Sequence, residues 1–187
     1  IKVGIIGAGY IGGVHASVLA RDHRVTISAV HDLDRERASR LATTTGATIA
    51  DGAEQLINRV DAVYITTPNT KHTELALAAI DADKHVFCEK PMATTVTGAR
   101  AILDRSRAST RVFQVGHNRR FAPVYVTLKQ MIGTTRPHSA HVKMNRGELI
   151  NPSWVSDPGI TGGFLFETTI HMFDMLRFLF GEIKEMH

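Results

Sequence analysis

The sequence predicts an α/β protein in which an N-terminal, doubly wound parallel sheet is followed by the start of a second α/β domain. Three observations predict it. The apolar run Ile1–Ile6 leads straight into Gly7-Ala8-Gly9-Tyr10-Ile11-Gly12, the pattern of a strand, a glycine turn and a helix. Strand and helix patterns then alternate as far as Gly116, which favours parallel βαβ units over a sandwich or a bundle. From Phe121 onward the pattern changes, so the chain divides into domains 1–118 and 119–187.

The elements follow in order. After the first strand and its helix, Val25–His31 reads as a short buried strand, Arg35–Thr44 as a helix, Thr48–Ala50 as a weak strand, and the residues after Asp51 as a short helix. Ala62–Thr66 is apolar and β-branched and is stopped by Pro68. Thr73–Ile80 predicts an alanine-rich amphipathic helix, His85–Cys88 a strand, Thr97–Ala108 a helix and Val112–Val115 a sixth strand. In a doubly wound sheet, ligands lie at the carboxyl ends of the strands. Thr67-Pro68-Asn69, Glu89-Lys90-Pro91 and His117-Asn118-Arg119 all fall at such ends. In the second domain Pro123–Ile132 predicts a helix, His138–Asn145 an alternating strand, and 147–163 a Gly/Pro/Ser-rich loop. Phe164–Phe180 predicts a helix apolar enough to be buried on most sides. The chain begins at Ile1 without methionine and stops soon after that helix, which reads as part of a longer protein.

The glycine turn has a specific chemistry. Gly7 permits the tight turn, Gly9 removes a side chain that would hold a pyrophosphate away from the backbone, and Gly12 lets the helix approach its strand. Tyr10 and Ile11 complete the first helical turn, whose free N–H groups and dipole favour an anion. Asp32 ends the second strand 20 residues after Gly12, where an acid receives ribose hydroxyls. A carboxylate there accepts two hydroxyl protons and repels a 2′-phosphate, which favours NAD over NADP. The competing reading is that Asp32 caps the next helix and leaves Arg35 and Arg37 to hold a phosphate.

Composition narrows the classes. With 43% hydrophobic and 21% charged residues, the chain matches soluble globular proteins and excludes disordered or collagen-like ones. The net charge of +4 is spread among acids with no basic run of five, so a nucleic-acid partner is not expected. The single cysteine, Cys88, excludes an internal disulfide framework and fits a reducing cytoplasm. No apolar stretch reaches the roughly 18 residues of a membrane span. The ten histidines lack metal-ligand spacing, so no metal is expected.

Two features carry reaction chemistry. Lys90 stands between an acid and a proline at a strand end, a donor held by a stiff turn whose proline is open to either isomer. Glu167, His171 and Asp174 are spaced i, i+4 and i+7 along an apolar helix and so share one face. Ionisable groups buried there are costly unless paired or used. One reading makes Glu167 a cap and His171 a core histidine satisfied by Asp174. The other is catalytic: Lys90 polarises an oxygen and His171 exchanges a proton near neutral pH.

These residues resemble the Gfo/Idh/MocA family of oxidoreductases. The resemblance rests on Gly7 to Gly12, Thr67-Pro68-Asn69-Thr70-Lys71-His72, Cys88-Glu89-Lys90-Pro91, and Gly162-Gly163-Phe164-Leu165-Phe166-Glu167 with His171 and Asp174, in family order. It implies a Rossmann domain followed by an α/β domain with a large open sheet, and a nicotinamide-dependent dehydrogenase of sugars, polyols or inositol. By this resemblance Lys90 hydrogen-bonds the reacting oxygen and contacts cofactor, and His171 is the catalytic histidine. Glu167 stands where many members have aspartate, and Asp174 supports the site. Thr67, Pro68, Asn69 and His72 match the loop beside the nicotinamide ribose, and Glu89 the acid before the lysine. The resemblance also implies a homo-oligomer, dimer or tetramer, formed through the C-terminal domain. Two further activities share the scaffold: NAD-dependent glycoside hydrolysis and non-catalytic, NAD-binding regulation.

Overall fold

The structure, a computed structural model, describes residues 1–133, 135, 137, 139–144 and 153–185. Two compact units are resolved, Ile1–Gly116 and His117–His187.

The first unit is built on six strands: β1 (Lys2–Ile6), β2 (Thr26–His31), β3 (Thr48–Ile49), β4 (Ala62–Ile65), β5 (His85–Cys88) and β6 (Phe113–Val115). They form one sheet in the order β3-β2-β1-β4-β5-β6, and every ladder is parallel. Helices α1 (Tyr10–Leu19), α2 (Arg35–Thr45), α3 (Ala53–Asn58), α4 (His72–Asp81) and α5 (Val96–Ala108) make the crossovers.

The continuous apolar reading of β1 follows from burial of both of its faces. Val3 and Ile5 join Ala16, Ala38 and Leu41 of α1 and α2 in one core. Ile6 joins Leu56, Ala76, Ala79 and Ile102 of α3, α4 and α5 in the other. Side chains alternate across a strand, so one short run feeds both layers. Each aliphatic side chain buried this fully contributes on the order of 1.5–3 kcal/mol before chain entropy is counted. Local signals set the helix ends. Asp34 caps α2 by accepting from the N–H groups of Glu36 and Arg37, and α2 stops at Gly46 with φ 73°. Thr95 caps α5 through Gly98 N–H.

Strand order sets out from β1 in two directions, to β2 and β3 on one side and to β4, β5 and β6 on the other. The connections after β1 and β4 therefore leave in opposite directions, the topology in which a doubly wound sheet takes its ligand at the carboxyl ends of these central strands.

The second unit contains a 3₁₀ turn at Asn118–Phe121, α6 (Pro123–Ile132), a 3₁₀ turn at Ser153–Ser156, and α7 (Pro158–Thr161). A π turn at Leu165–Thr169 then runs into α8 (Ile170–Phe180). Of the alternating segment 138–145, His138 and Asn145 lie outside the described residues, and 139–144 form no strand. Alternation alone is insufficient, because a strand needs a ladder partner and the described residues of this unit supply none. Part of the expected loop is helical: Asp157 caps α7 by accepting from Gly159 N–H at 2.8 Å, with Pro158 in the first turn.

The last helix exists where the sequence places it, but its burial differs from expectation. Phe164, Leu165, Phe173 and Phe180 are exposed, while Thr168, Asp174 and Met175 are buried. Within the unit α8 packs mainly on α6 and the Asn118–Phe121 turn, and Phe173, Arg177 and Phe180 remain exposed. Among the described residues no helix is long and apolar enough to cross a membrane.

Candidate functional site

The glycine turn is built by contacts that exclude side chains at two positions. At Gly7, φ is +99° and a Cβ would lie 2.6 Å from the Thr66 carbonyl carbon. At Gly12 a Cβ would lie 2.1 Å from Gly7 O. Gly9 is different, because a Cβ there would meet nothing within 4 Å. Gly9 is the N-cap of α1 and makes no side-chain cap bond, so the leading N–H groups of the helix are open to a ligand. Gly7 N–H donates to His31 O at 2.8 Å, and Thr66 Oγ1 donates to Gly7 O at 2.7 Å.

Asp32 lies beside this turn. Its carboxylate accepts from Ala8 N–H at 2.6 Å and from Asp34 N–H at 2.8 Å. A carboxylate has about four acceptor positions, so roughly two remain for incoming hydroxyls. The cap of α2 is Asp34, which removes the reading of Asp32 as only a cap. Arg35 reaches Asp51 at 3.4 Å and Arg37 reaches Asp34 at 3.0 Å. Exposed pairs of this kind hold their partners by at most about 1 kcal/mol.

At the end of β4, the Thr67 hydroxyl is buried without a hydrogen-bond partner among the described residues. Pro68 is exposed and Asn69 is buried at the start of a short 3₁₀ turn. His72, the first residue of α4, is fully buried: Nδ1 lies 2.6 Å from Pro91 O and Nε2 lies 2.9 Å from Thr67 O. Its ring therefore ties the loop after β4 to the turn after β5 and presents no atom to a ligand. This corrects the expectation of direct contact. Burial pushes the imidazole toward its neutral form against the pull of the two carbonyls.

Lys90 follows β5 and precedes the buried Pro91 across a cis peptide bond. Glu89 accepts from His15 Nε2 at 2.8 Å and from Lys90 N–H at 3.1 Å. Burial would raise the Glu89 carboxyl, but the hydrogen bond and charge of His15 and the Lys90 N–H outweigh it, so Glu89 titrates below the usual 4.5. The sign follows from linkage. A lowered folded value stabilises the fold fully above 4.5, and this contribution is lost as pH falls through the lowered value. The melting temperature of Glu89→Gln should therefore lie below that of the parent at pH 6–7, with the gap closing as the pH falls below about 4. A gap independent of pH would remove the ionised carboxylate from the account.

In the second unit, His171 is half-buried in the first turn of α8 and Glu167 lies in the π turn before it. Four residues of α-helix rotate about 400°, overshooting register by about 40°. The wider π turn removes part of that overshoot and brings Glu167 nearer to eclipsing His171. Such turns are frequent at functional sites. Asp174 is buried and takes a bidentate ion pair from Arg120, with Nε at 2.9 Å and Nη2 at 2.6 Å, and His117 Nδ1 stands 3.7 Å away. Its carboxylate thus anchors α8 to the Asn118–Phe121 turn.

The sequence reading did not single out Thr66 or His15. Thr66 reads as a last strand residue, and its hydroxyl's role depends on β1 and β4 being neighbours. His15 carried one signal, a titratable side chain on an apolar helix that has to pack on a sheet.

The family profile described as an oxidoreductase family, NAD-binding Rossmann fold, matches residues 1–117, and its C-terminal α/β domain counterpart matches residues 122–187. The chain belongs to the Gfo/Idh/MocA oxidoreductase family. Among family relatives, the inositol 2-dehydrogenase of Acidothermus cellulolyticus is 37% identical over 100% of this chain and 55% of its own length. A solved levoglucosan dehydrogenase, in complex with NADH and levoglucosan, is 27% identical with a TM-score of 0.84, covering 97% of this chain and 54% of that one. GenD2 from gentamicin A biosynthesis, in complex with NAD, is 25% identical with a TM-score of 0.83, over 96% of this chain and 53% of that one. The chain spans about half the length of the relatives it matches.

Proposed function

We propose that this chain is the cofactor-binding part, with the beginning of the substrate domain, of an NAD-dependent dehydrogenase acting on a ring hydroxyl of an inositol, polyol or sugar. The observation that carries this reading is what gathers at the carboxyl ends of β1, β2, β4 and β5. These are the open position at Gly9, the two spare acceptor positions of Asp32, the Thr67 hydroxyl and the Lys90 turn. The residues fit a dinucleotide. Gly7, Gly9, Tyr10, Ile11 and Gly12 would hold the pyrophosphate, Asp32 the adenosine ribose, and Thr67, Pro68, Asn69 and Lys90 the nicotinamide end, with His72 and Glu89 holding these loops from behind. When bound, the nicotinamide supplies the hydride acceptor. Lys90 donates a hydrogen bond to the substrate oxygen and stabilises the alkoxide that develops. His171 takes the hydroxyl proton as general base and returns it in the reductive direction. Glu167 orients His171 or the substrate, and Asp174 holds the helix. The relatives named for inositol and levoglucosan oxidation support a cyclic carbinol as substrate.

NAD is favoured over NADP because the Asp32 carboxylate beside the turn keeps acceptor positions for ribose hydroxyls and would repel a 2′-phosphate. Asp32→Ser should raise the Kd for NAD about 10–100-fold, the loss of one to two hydrogen bonds to a charged acceptor, and weaken the discrimination against NADP. Calorimetric titration of both cofactors reads this directly, and unchanged NAD affinity would displace Asp32 from the ribose.

The experiment for the reaction is absorbance at 340 nm with the whole protein, NAD or NADP, and myo-inositol, levoglucosan or pooled sugars. NADH formation supports the dehydrogenase. Cofactor binding with cleavage of a glycoside and no net NADH would replace it by hydrolysis, and binding with neither would replace it by regulation.

A further inference from the structure

His15 and Glu89 lie on different elements, α1 and the turn after β5, yet share one hydrogen bond at 2.8 Å with side chains 24% and 18% exposed. A carboxylate only accepts, so His15 carries its proton on Nε2. The ring is fixed by packing as well. Tyr64 and Phe87 are register partners on β4 and β5 and stack at 4.7 Å, and His15 meets Phe87 edge-on at 4.8 Å. Phe87 and Glu89 are two residues apart along an extended segment and so point to the same side of the sheet, the side that α1 covers. Gly116 leaves room for the carboxylate, since a Cβ there would lie 3.1 Å from it. Glu89 spends its second oxygen on the backbone N–H of Lys90. A continuous path of two hydrogen bonds thus runs from the helix that begins at the glycine turn to the main chain of Lys90.

We propose that His15 is a positioning residue which, through Glu89, fixes the Lys90 turn against α1, so that the pyrophosphate helix and the reacting lysine are held as one body. The consequence for turnover rests on the function proposed above; the mechanical coupling does not. His15 touches neither substrate nor cofactor in this role. Its contribution is the orientation of Lys90, which a static ring packed on Phe87 and Tyr64 could not supply without the Nε2 proton.

Two variants separate the roles. His15→Phe keeps a ring against Phe87 and Tyr64 but deletes the donor, and His15→Gln places an amide N–H at a similar reach. Amide hydrogen exchange of the whole protein, without cofactor, should show the Lys90 amide exchanging about tenfold faster in His15→Phe and returning most of the way in His15→Gln. The Thr66 amide, bonded to Ile6 O in the neighbouring ladder, should be unchanged. In the assay at 340 nm, kcat should fall about tenfold in His15→Phe while the Kd for NAD stays within about twofold. An unchanged Lys90 amide, or equal acceleration at Thr66, overturns the proposal. Failure to bind NAD would instead overturn the dehydrogenase reading, because the amide comparison is made without cofactor.

Discussion

Lys90→Met is expected to lower kcat of the whole protein by about 10²–10³ while raising the Kd for NAD by about tenfold or less, the scale of one lost contact at the nicotinamide end. The size follows from the charge that develops on the substrate oxygen when hydride leaves the adjacent carbon. An ammonium already held in place stabilises that charge by a few kcal/mol without reorganising solvent. Methionine preserves length and most of the volume, so the variant removes the donor and its charge and little else. The turn has supports besides the lysine side chain. It is fixed by Glu89 accepting from Lys90 N–H, by buried Pro91, and by the His72 ring reaching Pro91 O. Kd and kcat therefore separate, and an unchanged kcat would take Lys90 out of the reaction.

The strand and helix periodicities made the first unit legible. β5 occupies the residues the sequence predicts, as α6 does in the second unit, and β1 was recognisable because burial on both faces leaves a continuous apolar run. Asp32 was found by its distance from the glycine turn, yet its neighbour Asp34 is the helix cap, a distinction that spacing alone left open. The ties across elements were not legible. His72 to Pro91 O, Thr66 to Gly7 O and His15 to Glu89 join residues 19, 59 and 74 positions apart, and each depends on strand order. In the second unit the apolar stretch gave the helix but not its π turn, since hydrophobic spacing reports which face is apolar and not the local hydrogen-bond step. The partner of Asp174 was also hidden: Arg120 precedes it by 54 residues.

Two glycines of the turn, Gly9 and Gly12, should separate folding from binding. Gly12→Val is expected to destabilise the protein by about 1–3 kcal/mol or more, because the new Cβ falls 2.1 Å from Gly7 O and a backbone atom cannot swing aside as a flexible side chain can. Cofactor affinity would fall with it, since the displaced helix carries the N–H groups of Tyr10 and Ile11. Gly9→Val should behave in the opposite way. A Cβ there meets no protein atom within 4 Å, and Gly9 has an ordinary φ of −73°, so the melting temperature should stay close to that of the parent. The space it fills is where a pyrophosphate would approach the backbone, so NAD binding should fall by about 10²-fold or more, the scale of losing charge-assisted contacts to the anion. Gly13→Ala is the control, with no atom within 4 Å and a helical site at which alanine is favoured by roughly 1 kcal/mol. Differential scanning calorimetry beside NAD titration reads all three. If Gly9→Val melted early and still bound NAD, the open side of the turn would not be the phosphate site. If Gly12→Val were as stable as the parent, the close approach of α1 to the turn would not be what requires glycine there.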